Sequence, residues 1–509
     1  MNQSTLELSE NIRHRLLSPS LAQIRYLGFA GSMMIVLGSL APGSPFTSKP
    51  VGSWFIGIQG SPFVFDQVPS YIAQVILYLG LLAVLVSWFQ IVRAVVAKSV
   101  TTKFLLVTSL WWFIPLLIAG PLFSRDVYSY AAIGEMVSRH ISPYLYGPNI
   151  LGATPYLNTV DPFWGNAPAP YGPLFLWIAG ASAVLSGHDA FVTMLILRAL
   201  SIGVVIAIAA VAMKVAKIAG YDPKLALVLV GMNPIFVYHL ASSAHNDAIM
   251  MLGLALGVWA FKRNHHYLAT FAITAGASVK VPVIVAVAAI AFLSTPERNL
   301  VSKIVPAIKH GAVMIATLAG FTVASGVGWG WIHNLSTPGT VVSPAVPTTI
   351  VAAWLSRFVG LFGIHGSFGL LLTLFRGLGL LLAALITLYL VYNISTLGFE
   401  KAVGLSLLAV VLLGPVIQPW YITWGLMVLA MKPTIRTTSA IVFVSILGMV
   451  LGLPDGPSIV AWTGYSLAAI AAVVFVASRL KVSRAAELLP IINSAGRIDL
   501  VLARSFENL

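Results

Sequence analysis

The chain has 509 residues, 58% of them hydrophobic and only 9% charged, with a mean hydropathy of +0.93. That composition excludes a water-soluble globule and places the chain among polytopic membrane proteins. Cysteine is absent, which removes disulfides, thiolate chemistry and iron–sulfur ligation, and the net charge of +14 reports first on membrane orientation rather than on a nucleic-acid partner, of which none is expected.

Residues 1–25 are polar, with no small-residue cleavage site after the first apolar run, so the first span is expected to be retained behind a cytoplasmic segment. Apolar runs follow near 26–41, 72–93, 103–122, 191–214, 224–241, 247–262, 266–278, 281–294, 307–325, 367–393, 402–418, 420–431, 437–453 and 458–478. They predict an all-α chain of about 13–14 transmembrane helices in one integral membrane domain over 1–509. The runs are too continuous for the alternation of barrel strands. Segments 266–294 and 402–431 each read as a broken or re-entrant pair.

The apolar stretch 173–187 decides the topology. If it crossed the membrane, Lys214, Lys217 and Lys224 would face outward and every later loop would invert its charge preference, against the positive-inside rule. With that stretch lying in the outer interface, only Lys49, Arg125, Arg139, Arg198, Lys280, Arg357 and Arg376 stay on the outer side or in the outer half of a span. Both termini are then cytoplasmic, with 479–509 as the tail. The long connections 42–71, 123–190 and 326–366 face outward, where sites are commonly built.

The outward acids are Asp66, Asp126, Glu135, Asp161, Asp189, Asp247 and Asp455. Asp126 follows Ser124 at the start of the helical stretch DVYSYAAIGEMVSRH, where a cap and the helix dipole keep a carboxylate ionised. A simple first-turn stabiliser paired with Arg125 is the competing reading. The trio His245, Asn246 and Asp247 opens another helix and reads equally as an ordinary cap. Lys280, at the bend of an apolar hairpin, costs energy unless it meets an anion or snorkels to the interface. Aromatic residues crowd the same face, among them Tyr128, Trp164, Tyr171, Trp420 and Tyr421; they suit a sugar-binding groove and an interfacial belt alike. No P-loop, H-E-x-x-H, G-x-S-x-G or D-x-D pattern occurs, which disfavours ATP-driven, zinc-protease, serine-hydrolase and nucleotide-sugar sites.

The order SRDVYSYAAIGEM, NAPAPYGPLFLWIAG, the Arg198 helix, HNDAIMM and SVKVP resembles membrane glycosyltransferases of the C-type fold. It is most similar to actinobacterial α-1,6-mannopyranosyltransferases that build lipomannan, over roughly residues 70–430. The resemblance implies a polyprenyl-phosphate-mannose donor, a phosphatidylinositol mannoside or lipomannan acceptor, a site on the outer face of the plasma membrane and juxtamembrane helices within a catalytic loop 123–190. It also implies no metal or other cofactor. In that reading Asp126 is the base, and Lys280, Arg198, Arg357 and Arg376 hold the donor phosphate. Arg125, Tyr128, His245, Asn246, Asp247, Trp164, Tyr171, Trp420 and Tyr421 contact substrate. Glu135 and Asp161 stay open between second acids and loop structure. The rival reading is a transporter or flippase with broken helices near 278–281 and 418–420.

Overall fold

The computed structural model describes residues 19–39, 70–297, 299–342 and 346–451. The predicted span 458–478, residues 42–69 of the loop 42–71 and the terminal segments 1–18 and 479–509 lie outside the described residues. The regular structure of the described residues is all helix with no strand, and five helices are long and apolar enough to cross a membrane. They are α1 (Leu21–Ser39), residues 75–96 of α2 (Ser70–Val96), α7 (Ala190–Ile218), α12 (Leu300–Ser325) and α14 (Phe368–Tyr392). The other predicted runs become shorter or broken helices. These include α3 (Thr102–Ile118), α8 (Pro223–Val230), α9 (Asp247–Lys262), α10 (His266–Ala277), α11 (Val285–Leu293), α16 (Phe399–Leu413), α17 (Ile422–Ala430) and α18 (Ile435–Leu451).

Small residues set how closely the helices cross, as expected where packing rather than water exclusion drives helix association. Gly31 of α1 and Gly80 of α2 meet backbone to backbone, and a methyl at either would lie 2.7 Å from the other's carbonyl oxygen. Between α16 and α17 a methyl on Gly425 would lie 2.5 Å from the Gly404 carbonyl oxygen, and one on Gly404 would meet the Leu429 side chain at 2.7 Å. Trp112 of α3 fills the space over Gly28 and donates its indole N–H to the Arg25 carbonyl at 3.0 Å.

The stretch that decided the topology forms α6 (Pro173–Leu185). Thirteen residues rise about 20 Å, short of the roughly 30 Å hydrocarbon core. Instead α6 packs along α4 (Asp126–Ser138): Gly134 abuts the Ala179 carbonyl and Gly180 abuts Val137. The N-terminus of α6 is pinned to the α10–α11 hairpin by Gly172 N–H to the Val279 carbonyl at 3.0 Å and Leu174 N–H to the Ser278 carbonyl at 3.1 Å. Gly134→Val is expected to force α4 off α6 and to destabilise by about 1–3 kcal/mol, as overpacking does. Gly203→Ala, where a Cβ meets nothing within 4 Å in the middle of α7, should be neutral or stabilising. Thermal unfolding of the two purified variants in one detergent checks both.

The short segment α5 (Pro155–Thr159), flanked by single 3₁₀ turns at Pro148–Leu151 and Pro162–Trp164, covers α4. The 3₁₀ segment His333–Thr340 and α13 (Pro347–Gly360) follow α12. Asn334 ties this second connection to the first by donating to the Tyr144 and Ala169 carbonyls at 3.1 and 3.3 Å. At the opposite end of the bundle the basic loops meet: Lys224 donates to the Val100 carbonyl at 3.1 Å, and Lys262 pairs with Glu400 at 2.6 Å.

Candidate active site

Three breaks in the helices converge on one point. The first is the crossing from α3 to α4, held where Ser243 Oγ donates to the Leu122 carbonyl and Ser124 Oγ accepts the Asp126 N–H at 3.1 Å. The second is the sequence Phe236–Ser242, a π-helical turn that meets α9 at a bend of 112°. Ala244 takes a φ of +56° at this bend, a left-handed conformation that a β-carbon resists, and it swings His245, Asn246 and Asp247 to the head of α9. The third is the pair of hairpin turns that present Lys280 before α11 and Trp420–Tyr421 before α17.

A cavity of about 610 Å³ lies between them. Asp126, Asp161, Trp164, Tyr171, Lys280, Trp420, Tyr421 and Trp424 give it a polar and aromatic wall. Leu335, Val341, Val410, Val411 and Val416 give it an apolar one. A mixed cavity of this size suits a ligand with a polar head and an apolar body.

The charges are ordered across it. The Asp126 carboxylate is 23% exposed, with His245 Nδ1 at 3.2 Å, and the Tyr130 hydroxyl lies 3.4 Å from both Asp126 Oδ2 and Asn246 Oδ1. Burial pushes the Asp126 carboxyl up, but contact with His245, its charge, the Lys280 ammonium and Ser124 together outweigh burial and hold it below the usual carboxylate value. Lys280 Nζ donates to both oxygens of the fully buried Asp247 at 3.0 Å, and Trp424 Nε1 donates to Asp247 Oδ1 at 2.8 Å. The ammonium also sits over the Tyr421 ring at 4.3 Å. Lys280 therefore reaches the cavity while Asp247 stays behind it and aims it.

Three of the four candidate arginines face backbone. Arg198 donates to the Leu116 and Ala119 carbonyls at the end of α3, groups that have no intrahelical partner. Arg125 donates to the Thr159 and Val160 carbonyls at 2.9–3.2 Å, which fixes the chain just ahead of Asp161. Arg376 donates to the Gly339 and Val341 carbonyls at 2.5 and 2.6 Å. Arg357 is exposed on α13. None of these four lines the cavity, and neither do Tyr128, His245, Asn246 or Asp247. Tyr128 is buried within the electrostatic reach of Arg198, and His245, Asn246 and Asp247 form the layer beneath the cavity floor. Against the expectation that these residues contact the donor phosphate or sugar, all but the exposed Arg357 have the geometry of a supporting shell.

Of the two acids left open, Asp161 lines the cavity and caps the following turn by accepting the Phe163 N–H at 2.9 Å. Glu135 is structural: it pairs with Arg139 at 2.7 Å and His188 at 2.8 Å, joining α4 to the turn after α6. Burial raises the Glu135 pKa, yet the bonds from His188 and Arg139 lower it further, to a net value below normal. A depressed folded-state pKa stabilises above the unfolded value and is lost as pH falls through the folded one. Glu135→Gln should therefore cost about 1 kcal/mol near neutral pH, since both partners are half exposed and screened. That deficit should vanish in acid, as read from unfolding midpoints across pH.

Among the described residues no group of three or more His, Cys, Asp or Glu side chains could hold a metal ion. The two halves of the cavity wall come from distant parts of the chain, and each matches a known family description. Residues 25–296, which carry Asp126, Asp161 and Lys280, match the alpha-(1->6)-mannopyranosyltransferase N-terminal domain. Residues 348–481, which carry Trp420, Tyr421 and Trp424, match the MptB C-terminal domain.

The chain belongs to the α-(1→6)-mannopyranosyltransferase family.

It is thus a helical membrane enzyme of a mannosyltransferase family. Relatives include a probable alpha-(1->6)-mannopyranosyltransferase of Mycolicibacterium smegmatis, 28% identical over 81% of this chain and 79% of its own. Alpha-(1->6)-mannopyranosyltransferase A of Mycobacterium tuberculosis is 27% identical over 84% of each chain. Alpha-(1->6)-mannopyranosyltransferase B of Corynebacterium glutamicum is 26% identical over 80% of this chain and 73% of its own. No solved structure matches the mannosyltransferase chain.

The sequence did not single out Trp424, which binds Asp247 and lines the cavity, and it placed Tyr130 only among the aromatics of the outer face without its contact to Asp126. Tyr130 lies four residues after Asp126, hence on the same helix face, and that spacing was the available signal.

Proposed function

We propose that this mannosyltransferase transfers mannose with inversion from a β-linked polyprenyl-phosphate-mannose to the 6-hydroxyl of an α-mannan acceptor of the lipomannan or phosphatidylinositol mannoside class. The observation that carries the reading is the placement of one ionised carboxylate, Asp126, and one half-buried ammonium, Lys280, on a single cavity that also has an apolar wall. Asp126 removes the proton of the acceptor hydroxyl as its oxygen bonds to the anomeric carbon. The bond from that carbon to the phosphate oxygen breaks, and the electron pair leaves with polyprenyl phosphate. A phosphate leaves already ionised and needs a cation more than a proton, so one carboxylate suffices where glycosidases use two. Lys280 is that cation, held in place by Asp247 and Trp424. The prenyl chain suits the valine-lined side, and Asp161 and Trp164, a carboxylate beside an aromatic face, suit acceptor sugar. No step in this scheme calls for a metal ion.

Orientation follows from charge. The basic loops lie at the end of the bundle opposite the cavity, so the positive-inside rule supports a cavity facing outward across the plasma membrane and a cytoplasmic N-terminus. A transporter remains the rival class because of the broken helices. Purified protein supplied with radiolabelled polyprenyl-phosphate-mannose and a short α-mannoside should yield an α-1,6-linked product. Accumulation of donor or acceptor inside proteoliposomes without transfer would establish the transporter instead.

A further inference from the structure

His245 touches neither cavity nor solvent, yet its Nδ1 sits closer to the Asp126 carboxylate than the Tyr130 hydroxyl does. Its side chain is fully buried, Nδ1 lies 3.2 Å from Asp126 Oδ2, and neither ring nitrogen hydrogen-bonds to any other described group. The ring is stacked on Trp420 at a centroid distance of 3.6 Å and an interplanar angle of 17°. Trp420 itself lines the cavity. The positive φ of Ala244 and the 112° bend place the ring there, together with Asn246 and Asp247. A buried polar ring without protein hydrogen bonds costs free energy unless a partner is made, and Asp126 is the one within reach.

We infer that His245 is the positioning residue for the base: Nδ1–H donates to Asp126 Oδ2 and leaves Oδ1 aimed at the acceptor hydroxyl, while Trp420 holds the imidazole plane. The inference rests on Asp126 being the base. The contact is long for an aligned hydrogen bond, as catalytic contacts commonly are before the reacting complex closes on them. Misplacement of a base by about 1 Å costs about 10²-fold. The assignment also corrects the expectation that His245 orients sugar hydroxyls, since the ring lies under Trp420 rather than on the cavity.

Besides Asp126, the charged or titratable groups facing this cluster are His239, 6.4 Å from His245 ring to ring, with Lys280, Tyr130, Tyr171 and Asp247 around Asp126 itself. His245 lowers the Asp126 pKa, so its loss should raise that value and move the acid limb of the transfer rate to higher pH. A merely structural histidine would leave the limb in place.

The test compares His245→Phe, which keeps the stack on Trp420 without a donor, with His245→Asn, whose amide replaces Nδ1–H without a ring. With polyprenyl-phosphate-mannose and an α-mannoside, the Phe variant should lose about 10- to 100-fold in kcat with little change in donor KM, and its acid limb should shift upward. The Asn variant should recover most of the loss. Wild-type kcat and acid limb in His245→Phe, with Asp126→Asn inactive, would overturn the inference and leave the base standing. Equal loss in Phe and Asn variants would overturn the hydrogen-bonding role. Full activity of Asp126→Asn would overturn the base itself.

Discussion

Asp126→Asn is expected to bind the mannose donor normally and to transfer it about 10³-fold more slowly or not at all. Amide for carboxylate changes neither size nor, to a first approximation, the contacts with Ser124, Tyr130 and His245, so the fold around α4 should survive. What disappears is the carboxylate that shares the cavity wall with Lys280 and that the scheme uses to accept the hydroxyl proton. General bases contribute about 10²–10⁴-fold, and a phosphate leaving group cannot compensate, because it helps the bond that breaks and not the one that forms. The readout is single-turnover transfer with donor binding measured on the same preparation. Unchanged donor affinity with lost transfer separates a missing base from a damaged site.

Lys280→Ala should reduce transfer by about 10²–10³-fold, the range seen when a preorganised donor to a developing anion is removed, and should raise donor KM while leaving acceptor KM nearly unchanged. This substitution alone has two consequences, because Asp247 is completely buried and both its oxygens contact Lys280. An uncompensated buried carboxylate destabilises by about 3–5 kcal/mol, so loss of activity in the single variant mixes electrostatics with unfolding. Combining Lys280→Met with Asp247→Asn removes both charges at similar volume. The double variant should regain much of the thermal stability but none of the donor affinity. Recovery of both would make Lys280 a structural partner of Asp247 and nothing more.

The fold class was legible because a membrane chain writes its helices as apolar runs and its sidedness as lysine and arginine. Charge argued only that 173–187 lies in the outer interface instead of spanning; the packing of the thirteen-residue α6 along α4 was not legible in the sequence. Asp126 and Lys280 were legible for a related reason: in a chain with so few charges, an acid after a span or a lysine between two of them needs an explanation. Arginine was not readable in the same way. A guanidinium that meets a phosphate and one that meets orphan carbonyls at a helix end look identical in sequence, and Arg125, Arg198 and Arg376 all took the second course. The sharp turn at Ala244 was hidden because alanine gives no sign of a left-handed backbone. Trp424 was hidden within an apolar run, where an indole looks like lipid contact until its N–H finds Asp247.

The central claim is that one cavity brings the acceptor hydroxyl to Asp126 and the donor phosphate to Lys280. Cryo-electron microscopy of the Asp126→Asn protein with polyprenyl-phosphate-mannose and a short α-mannoside tests it most directly. The account predicts the phosphate against Lys280 Nζ, the prenyl chain along Val410 and Val411, and the acceptor O6 within hydrogen-bond reach of residue 126. A donor phosphate bound away from Lys280, or an acceptor hydroxyl facing any other acid, would contradict it.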